Sequence, residues 1–224
     1  MLQKNSMPGR RLIAGSIGSY GAILADRSEY TGGYWDNAQD RQKAEREHRL
    51  RLAVLAKAGV DIIAVETLPG TGEADVIIDL LQSPCSNNVP FYVSFVTHDG
   101  ICTPRGENIV NFLSECFHIE NGKYKTHQPF AVGINCSSIE SITKFVTEFC
   151  KFRNEKYIDH LRLILYPNAD EIMVFANFEE RLNFWRALCQ KWISLAGVDK
   201  IAAIGGCCNV LVEDIKAIAT VLHE

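Results

Sequence analysis

Two adjacent cysteines, Cys207 and Cys208, stand where a short apolar segment, Ile201–Ile204, gives way to Gly205–Gly206. The apolar segment has the character of a buried strand, and glycines permit a tight turn that larger side chains would block. A third cysteine, Cys136, also follows a short apolar segment. Thiolates are preferred zinc ligands, and catalytic zinc sites keep one position open beside three protein ligands. The spacing leaves two interpretations open, which are a zinc site and buried free thiols.

A carboxylate, Glu66, ends the segment Asp61–Glu66, which is apolar on both faces as a buried parallel strand should be. An unpaired carboxylate at that position is costly, so we expect Glu66 to face a ligand. Ser16, Ser94 and Asn168 also stand at the ends of predicted strands. The residues able to do chemistry therefore gather at one end of a parallel sheet.

Six apolar segments alternate with six amphipathic ones, which predicts an α/β fold with a parallel sheet covered by helices. A closed barrel is favoured over an open sheet because it points all strand ends at one axis, where Cys136 can meet Cys207 and Cys208. The predicted strands are 11–17, 61–66, 91–96, 129–134, 161–166 and 201–204. The first predicted helix begins at Asn37 or Asp40, and the later ones cover 73–82, 107–116, 138–151, 178–195 and 212–223.

The first long helix is predicted to end at Ala58, before Gly59. Leu50, Val54, Leu55 and Ala58 recur at helical spacing, so we expect them to form its buried face. Its charged residues between positions 41 and 51 are most simply a solvated surface.

The composition indicates a soluble protein of one domain. The 224 residues are 47% hydrophobic with a net charge of −4, and no basic cluster suggests nucleic-acid binding. No apolar run approaches the roughly 18 residues of a membrane span, and no signal peptide is recognisable. Eight cysteines without a CxxC pair are typical of reduced thiols, which predicts a cytoplasmic location. We expect five of them to be buried free thiols: Cys85, Cys102, Cys116, Cys150 and Cys189.

Several stretches together resemble the homocysteine S-methyltransferase family, in particular the members that use S-methylmethionine or S-adenosylmethionine as methyl donor. They follow the family's order and cover nearly the whole chain. The matching stretches are Ala14-Gly-Ser-Ile-Gly-Ser-Tyr-Gly-Ala22, Ser28-Glu-Tyr-Thr-Gly32, Val65-Glu-Thr67, Gly133-Ile-Asn-Cys136, Tyr166-Pro-Asn168 and Ile204-Gly-Gly-Cys-Cys208. The resemblance implies a (β/α)8 TIM-type barrel, a zinc ion held by three cysteines, and methyl transfer to the thiol of homocysteine to give methionine.

The chain also departs from the family pattern. The family opens with two further strand–helix units, the first ending in Asp-Gly-Gly, whose carboxylate helps to hold the amino acid substrate. Nothing before Arg11 resembles either unit. Residues 1–224 are therefore expected to form a single homocysteine-binding barrel domain that has only the last six units. Such an incomplete barrel is expected to expose sheet edges through which it could self-associate.

The resemblance gives roles to the candidate residues. It implies that Cys136, Cys207 and Cys208 hold the zinc and form the catalytic centre. Glu66 is the candidate for binding the substrate ammonium group. Asn135, Tyr166, Asn168 and Ser94 are the candidates for shaping the substrate pocket, and Tyr30 and Trp35 for facing a sulfonium donor.

Two alternatives to catalysis remain open. One is an impaired or inactive family member that still binds zinc, and the other is a protein in which zinc only staples the fold. The expected partners are small molecules, namely homocysteine and a sulfonium methyl donor, with no nucleic acid and no membrane.

Overall fold

Short, mostly apolar segments form the strands, and a helix follows each strand along the chain. The computed structural model describes residues 11–170 and 177–223. The strands are β1 (Ala14–Gly18), β2 (Ile62–Leu68), β3 (Phe91–Phe95), β4 (Ala131–Asn135), β5 (Arg162–Tyr166) and β6 (Ile201–Ile204). The helices are α1 (Gly21–Leu24), α2 (Ala38–Ala58), α3 (Thr71–Leu81), α4 (Ile109–Phe117), α5 (Ile139–Phe152), α6 (Phe178–Ala196) and α7 (Val212–His223).

The six described strands form one parallel sheet in sequence order, from β1 to β6. Among the described residues β1 and β6 are its edges, so the sheet is not closed. An α/β fold of barrel type with six strand–helix units confirms the predicted fold class. All strands run the same way, so their carboxyl ends meet at one edge of the sheet, where ligand sites of such folds lie.

Side-chain alternation along the strands separates two layers. Residues that point outward pack with the helices into one large core, with Val65, Val93 and Leu163 fully buried. Residues that point to the concave side form a smaller cluster around Ala64 and Tyr92, with Tyr166 packed against it. Side chains an even number of residues apart in a strand lie on the same face. Glu66, Ser94 and Asn135 stand two or four residues after the inner-layer residues Ala64, Tyr92 and Ala131, so they belong to the inner layer too.

The predicted buried face of α2 is wrong for three of its four residues, since only Leu55 is half-buried and packs against the core. Leu50 and Val54 are 52% and 66% exposed. The buried stripe is instead Ala44, His48, Leu52 and Ala56, which face the sheet and α3. Leu50 and Val54 border an open groove beside β1, the edge strand, where no described element covers them. The spacing of the apolar residues therefore predicts a helix correctly, but Leu50 and Val54 lie on the side of α2 that faces the edge strand.

The ends of α2 follow the predicted signals. Asn37 rather than Asp40 is the N-cap, because its side chain accepts hydrogen bonds from the backbone N–H groups of Gln39 and Asp40. Gly59 ends the helix in the left-handed conformation, with φ of 74°. Of the helices described, none has both the length and the apolar character needed to cross a membrane.

Candidate metal centre and active site

Three thiols meet at the carboxyl edge of the sheet. Cys136 directly follows β4, and Cys207 and Cys208 lie in the turn after β6. Their sulfur atoms all lie within 4.8 Å of one another, and the Cys136 and Cys208 sulfurs are 3.7 Å apart. Two thiolates on one tetrahedral zinc, each at about 2.3 Å, would lie about 3.8 Å apart. The spacing and the soft donors therefore fit a zinc ion.

The turn that carries the paired cysteines needs one of its two glycines for space. A Cβ at Gly206 would lie 2.1 Å from the Val210 Cγ1, so a larger residue would force the turn open. A Cβ at Gly205 would make only an ordinary contact of 3.6 Å with Tyr166. Gly206 therefore lets the chain fold back closely enough for both thiols to face Cys136.

The loop after β5 joins the two cysteine-bearing loops through backbone hydrogen bonds. It lies between them in the sheet order and offers groups to both sides. The bonds are Asn168 N–H to Ser137 O (3.0 Å), Cys207 N–H to Pro167 O (2.8 Å) and Ala169 N–H to Cys208 O (2.9 Å). These bonds fix the relative positions of the three thiols before any metal binds.

The thiols are not electrostatically equivalent. A hydrogen bond from the Cys136 thiol, helped by the Asn135 amide, lowers the pKa of Cys207 to about 6 despite partial burial. The pKa of Cys136 is raised because it donates to Cys207 and is itself shielded from water. Cys207 therefore becomes a thiolate, the form that binds metals, more readily than Cys136 does.

Asn135, the last residue of β4, connects the thiols to the rest of the site. It is 1% exposed, and its side-chain oxygen accepts hydrogen bonds from the Ser94 hydroxyl (2.8 Å) and the Thr67 N–H (2.9 Å). Its side-chain nitrogen donates to the Thr67 hydroxyl at 2.7 Å and approaches the Cys207 sulfur at 3.9 Å. Ser94 is fully buried and therefore supports Asn135 rather than lining an open surface.

Backbone strain accompanies this network. Thr67 has φ of 57° and Cys136 has φ of 49°, both in the left-handed region that a β-branched residue such as threonine rarely adopts. The pairing of β2 with β3 shifts register between Val65 and Leu68, on either side of Glu66 and Thr67. Bulges and strained residues are common beside functional sites, where they redirect a side chain. Here the bonds from Asn135 hold Thr67 in place.

Glu66 lies near the carboxyl end of β2 but does not end it, because the strand continues to Leu68, and hydroxyl groups hold both of its carboxylate oxygens. Ser16 donates to Oε1 at 2.6 Å, and Tyr166 donates to Oε2 at 2.8 Å. The Tyr92 hydroxyl lies 3.4 Å from that of Tyr166. Burial raises the pKa of Tyr92 to about 12, and burial followed by the nearby Tyr92 and Glu66 raises that of Tyr166 as well. Both phenols therefore keep their protons near neutral pH.

The remaining candidates are placed differently from one another. The Asn168 side-chain oxygen is buried and has no hydrogen-bond partner among the described residues. The Tyr30 hydroxyl lies beside the thiols, and burial together with Cys136 and Cys208 raises its pKa. Trp35 instead packs its ring edge-on against Tyr34, with the ring centroids 6.2 Å apart. Tyr30 is therefore the aromatic candidate that the fold brings to the metal centre.

One buried polar cluster was missed by the sequence reasoning. Glu73 and His48 are buried and face each other at 2.8 Å, and Tyr34 donates to the same carboxylate. The signal was present in α2, where His48 occupies the stripe of Ala44 and Leu52 at four-residue spacing. His48 lies among the charged residues between positions 41 and 51, which were predicted to form a solvated surface, and the buried cluster was therefore missed.

The other cysteines that the structure describes are free thiols, as predicted. Cys116 and Cys189 are buried, whereas Cys102 and Cys150 are only half-buried. The side chain of Cys85 lies outside the described residues. None of the four described thiols belongs to a metal-binding group of the described residues.

The fold and site define a barrel-type α/β protein with a three-thiol centre at the carboxyl ends of its strands. The family model described as homocysteine S-methyltransferase matches residues 2–222. The chain therefore belongs to the homocysteine S-methyltransferase family.

Named relatives agree with this assignment. The chain is 31% identical to homocysteine S-methyltransferase 3 of Arabidopsis thaliana, over 95% of this chain and 58% of that protein. It is 34% identical to homocysteine S-methyltransferase 1 of Zea mays, over 95% of this chain and 62% of that protein. Among solved structures, the metallated form of the homocysteine methyltransferase MmuM from Escherichia coli matches with a TM-score of 0.71 and 26% identity, over 97% of this chain and 63% of that one. The chain thus spans about three-fifths of the length of these relatives.

Proposed function

We propose that this chain takes part in zinc-dependent methyl transfer from a sulfonium donor, S-methylmethionine or S-adenosylmethionine, to the thiol of homocysteine, giving methionine. The observation that carries the proposal is the group of three sulfurs within 4.8 Å at the strand ends of β4 and β6. Family membership supports the choice of homocysteine as the methyl acceptor.

Cys136, Cys207 and Cys208 are the residues that would hold the zinc. With three thiolate ligands one coordination position would stay open, and zinc there would supply stabilisation of a substrate thiol as the nucleophilic thiolate. The chain prepares this centre without metal, because the backbone bonds of the β5 loop and the contact of Asn135 with Cys207 hold the thiols together.

Glu66 is the group we propose to bind the substrate ammonium. Ser16 and Tyr166 orient its carboxylate, and both donate neutral hydroxyl hydrogens that leave its negative charge in place. Thr67 directly follows Glu66, and Asn135 connects Thr67 to Cys207. The ammonium end and the sulfur end of one small amino acid would therefore be recognised by parts of one hydrogen-bonded network.

Tyr30 and the Asn168 side-chain oxygen are suited to the methyl donor. A sulfonium carries positive charge, which attracts both the face of an aromatic ring and a buried carbonyl oxygen that has no partner among the described residues. Transfer of a methyl group from a sulfonium to a thiolate removes both charges, so partial exclusion of water favours the reaction. The free thiols of the centre suit a reducing compartment, and we propose the cytoplasm.

The test is a methionine-forming assay with homocysteine and each sulfonium donor, before and after removal of metal with a chelator. We expect slow turnover, limited by the open sheet edges, that requires zinc and shows one preferred donor. Zinc binding without turnover would instead support the inactive alternative. Cobalt substitution distinguishes a structural metal, because the cobalt spectrum should change on adding homocysteine only if a coordination position is open.

A further inference from the structure

A buried carboxylate that the proposed chemistry does not use lies in the first turn of α3. Glu73 is 1% exposed, and both of its carboxylate oxygens accept hydrogen bonds from other elements. The Tyr20 N–H donates to Oε1 at 2.6 Å, His48 donates to the same oxygen at 2.8 Å, and the Tyr34 hydroxyl donates to Oε2. The Glu73 side chain thus accepts hydrogen bonds from three groups that lie on other parts of the chain.

Two of those groups bracket the segment between β1 and α2, residues 19–36, which we call the aromatic loop. The rings of Tyr20 and Tyr34 meet edge-on with centroids 5.7 Å apart, so the start and end of the loop are held together. The loop folds back tightly between them, because a Cβ at Gly21 would lie 2.4 Å from the Glu29 nitrogen. Tyr30 lies within this segment, in the turn Ser28–Tyr30 that packs against β2, and its hydroxyl interacts with the Cys136 thiol.

The outer part of the loop is held separately. Arg105, from the connection between β3 and α4, donates to the Gly32 carbonyl at 2.9 Å and to the Asp36 carboxylate at 2.7 Å. The Asp36 side chain is 73% exposed, so this ion pair is weakened by solvent. The cluster around Glu73 is buried, and hydrogen bonds to a buried charged group are stronger. Glu73 is therefore the main anchor of the loop.

We propose that Glu73 is a positioning residue that, with His48 and Tyr34, holds the aromatic loop so that Tyr30 covers the Cys136 thiol. The loop then limits access of water to the thiols and presents an aromatic ring on the side where a cationic donor would approach. The anchoring of the loop by Glu73 stands on its hydrogen bonds, whereas the value of Tyr30 to catalysis rests on the proposed function.

The test uses Tyr34→Phe, which removes one hydroxyl and keeps the ring, and Glu73→Gln as the stronger change. The readout is the alkylation rate of each cysteine by iodoacetamide in metal-free protein, followed by peptide mass spectrometry. Cys136 should react about tenfold faster in either variant, because the loop loses a hydrogen bond to a charged group. Cys150, half-buried on α5, is the internal reference and should not change.

Tyr124→Phe is the matched control. Tyr124 is also a buried tyrosine, and its hydroxyl also donates to α3 carboxylates, at 2.8 Å to Asp75 and 2.9 Å to Asp79. The control should leave Cys136 labelling unchanged even where its melting temperature falls as much as that of Tyr34→Phe. Unchanged labelling in both loop variants, or equal acceleration in the control, would overturn the proposal.

A second readout separates positioning from general loosening. Where turnover is measured, the loop variants should raise the KM for the sulfonium donor severalfold and leave the KM for homocysteine unaltered. An equal rise for both substrates would contradict a role for the loop in donor binding. If the thiols bind no zinc, the proposed function fails, yet the labelling experiment still decides whether Glu73 positions Tyr30.

Discussion

Replacing Cys207 with serine tests the metal centre most directly. Serine keeps the shape of the side chain but exchanges a soft thiolate for a hydroxyl that zinc disfavours. The Cys136 and Cys208 sulfurs, 3.7 Å apart, and the backbone bonds of the β5 loop would remain. The variant therefore removes one ligand from a cluster that is otherwise already arranged.

The size of the effect follows from the number of ligands. Structural zinc in small domains contributes about 10–16 kcal/mol, and a quarter of that for one of four ligands is about 2.5–4 kcal/mol. This corresponds to a loss of zinc affinity of about two to three orders of magnitude. Little of the loss should be recovered by rearrangement, because the turn at Gly206 has no room to move inward.

The assay is competition for zinc against a chromophoric chelator, with bound metal counted by elemental analysis. Cys189→Ser is the control, because Cys189 is fully buried on α6 and belongs to no metal-binding group of the described residues. It should keep one zinc per chain at unaltered affinity. Equal zinc content and affinity in the two variants would refute the assignment of Cys207 as a ligand.

Three further predictions concern the substrate side and the sheet edges. Glu66→Gln should raise the KM for homocysteine about 10- to 150-fold, because a hydrogen bond between charged groups is lost, and should change the melting temperature little. A large fall in stability with an unchanged KM would contradict this prediction. Tyr166→Phe should weaken homocysteine binding at least about tenfold in calorimetry without altering zinc content, because it removes the donor to Glu66 Oε2. The 224-residue chain, expressed alone, should elute larger than a 25.0 kDa monomer and have low activity, since β1 and β6 are unpaired edges among the described strands. Ile13→Lys beside β1 should reduce this association, whereas Ile119→Lys, at an equally exposed site away from the sheet, should not, and a monomer with full activity would contradict the edge argument.

The alternation of strands and helices could be predicted from the sequence because each element follows local rules. Apolar runs, caps and glycine stops predict the order of elements, and the predicted strand ends differ from the observed ones by at most three residues. Local rules fail where burial depends on a neighbour. Leu50 and Val54 have the spacing of a buried face, but a helix face is buried only if another element packs on it. No described element packs on this face of α2.

The site could be predicted in part for the same reason. Three cysteines and Glu66 at strand ends are visible in the sequence because strand ends converge in parallel folds. The role of Asn135 as a connector is not visible, since it depends on Thr67 adopting a left-handed φ of 57°, which no residue preference indicates. The pairing of His48 with Glu73 likewise joins two helices whose contact is a tertiary property.

The meeting of the thiols also has a different cause from the one that the sequence favoured. Closure of a barrel was the reason to expect Cys136 near Cys207 and Cys208, yet the described sheet is open and the thiols still meet. The loops after β4 and β6 both reach the loop after β5, which lies between them and makes three backbone bonds that fix the distance between the thiols. Because these bonds are local to three neighbouring loops, the metal centre should be insensitive to what pairs with β1. Substrate binding is different, since Ser16 of β1 donates to Glu66. Disturbance of the β1 edge should therefore weaken homocysteine binding well before it weakens zinc binding.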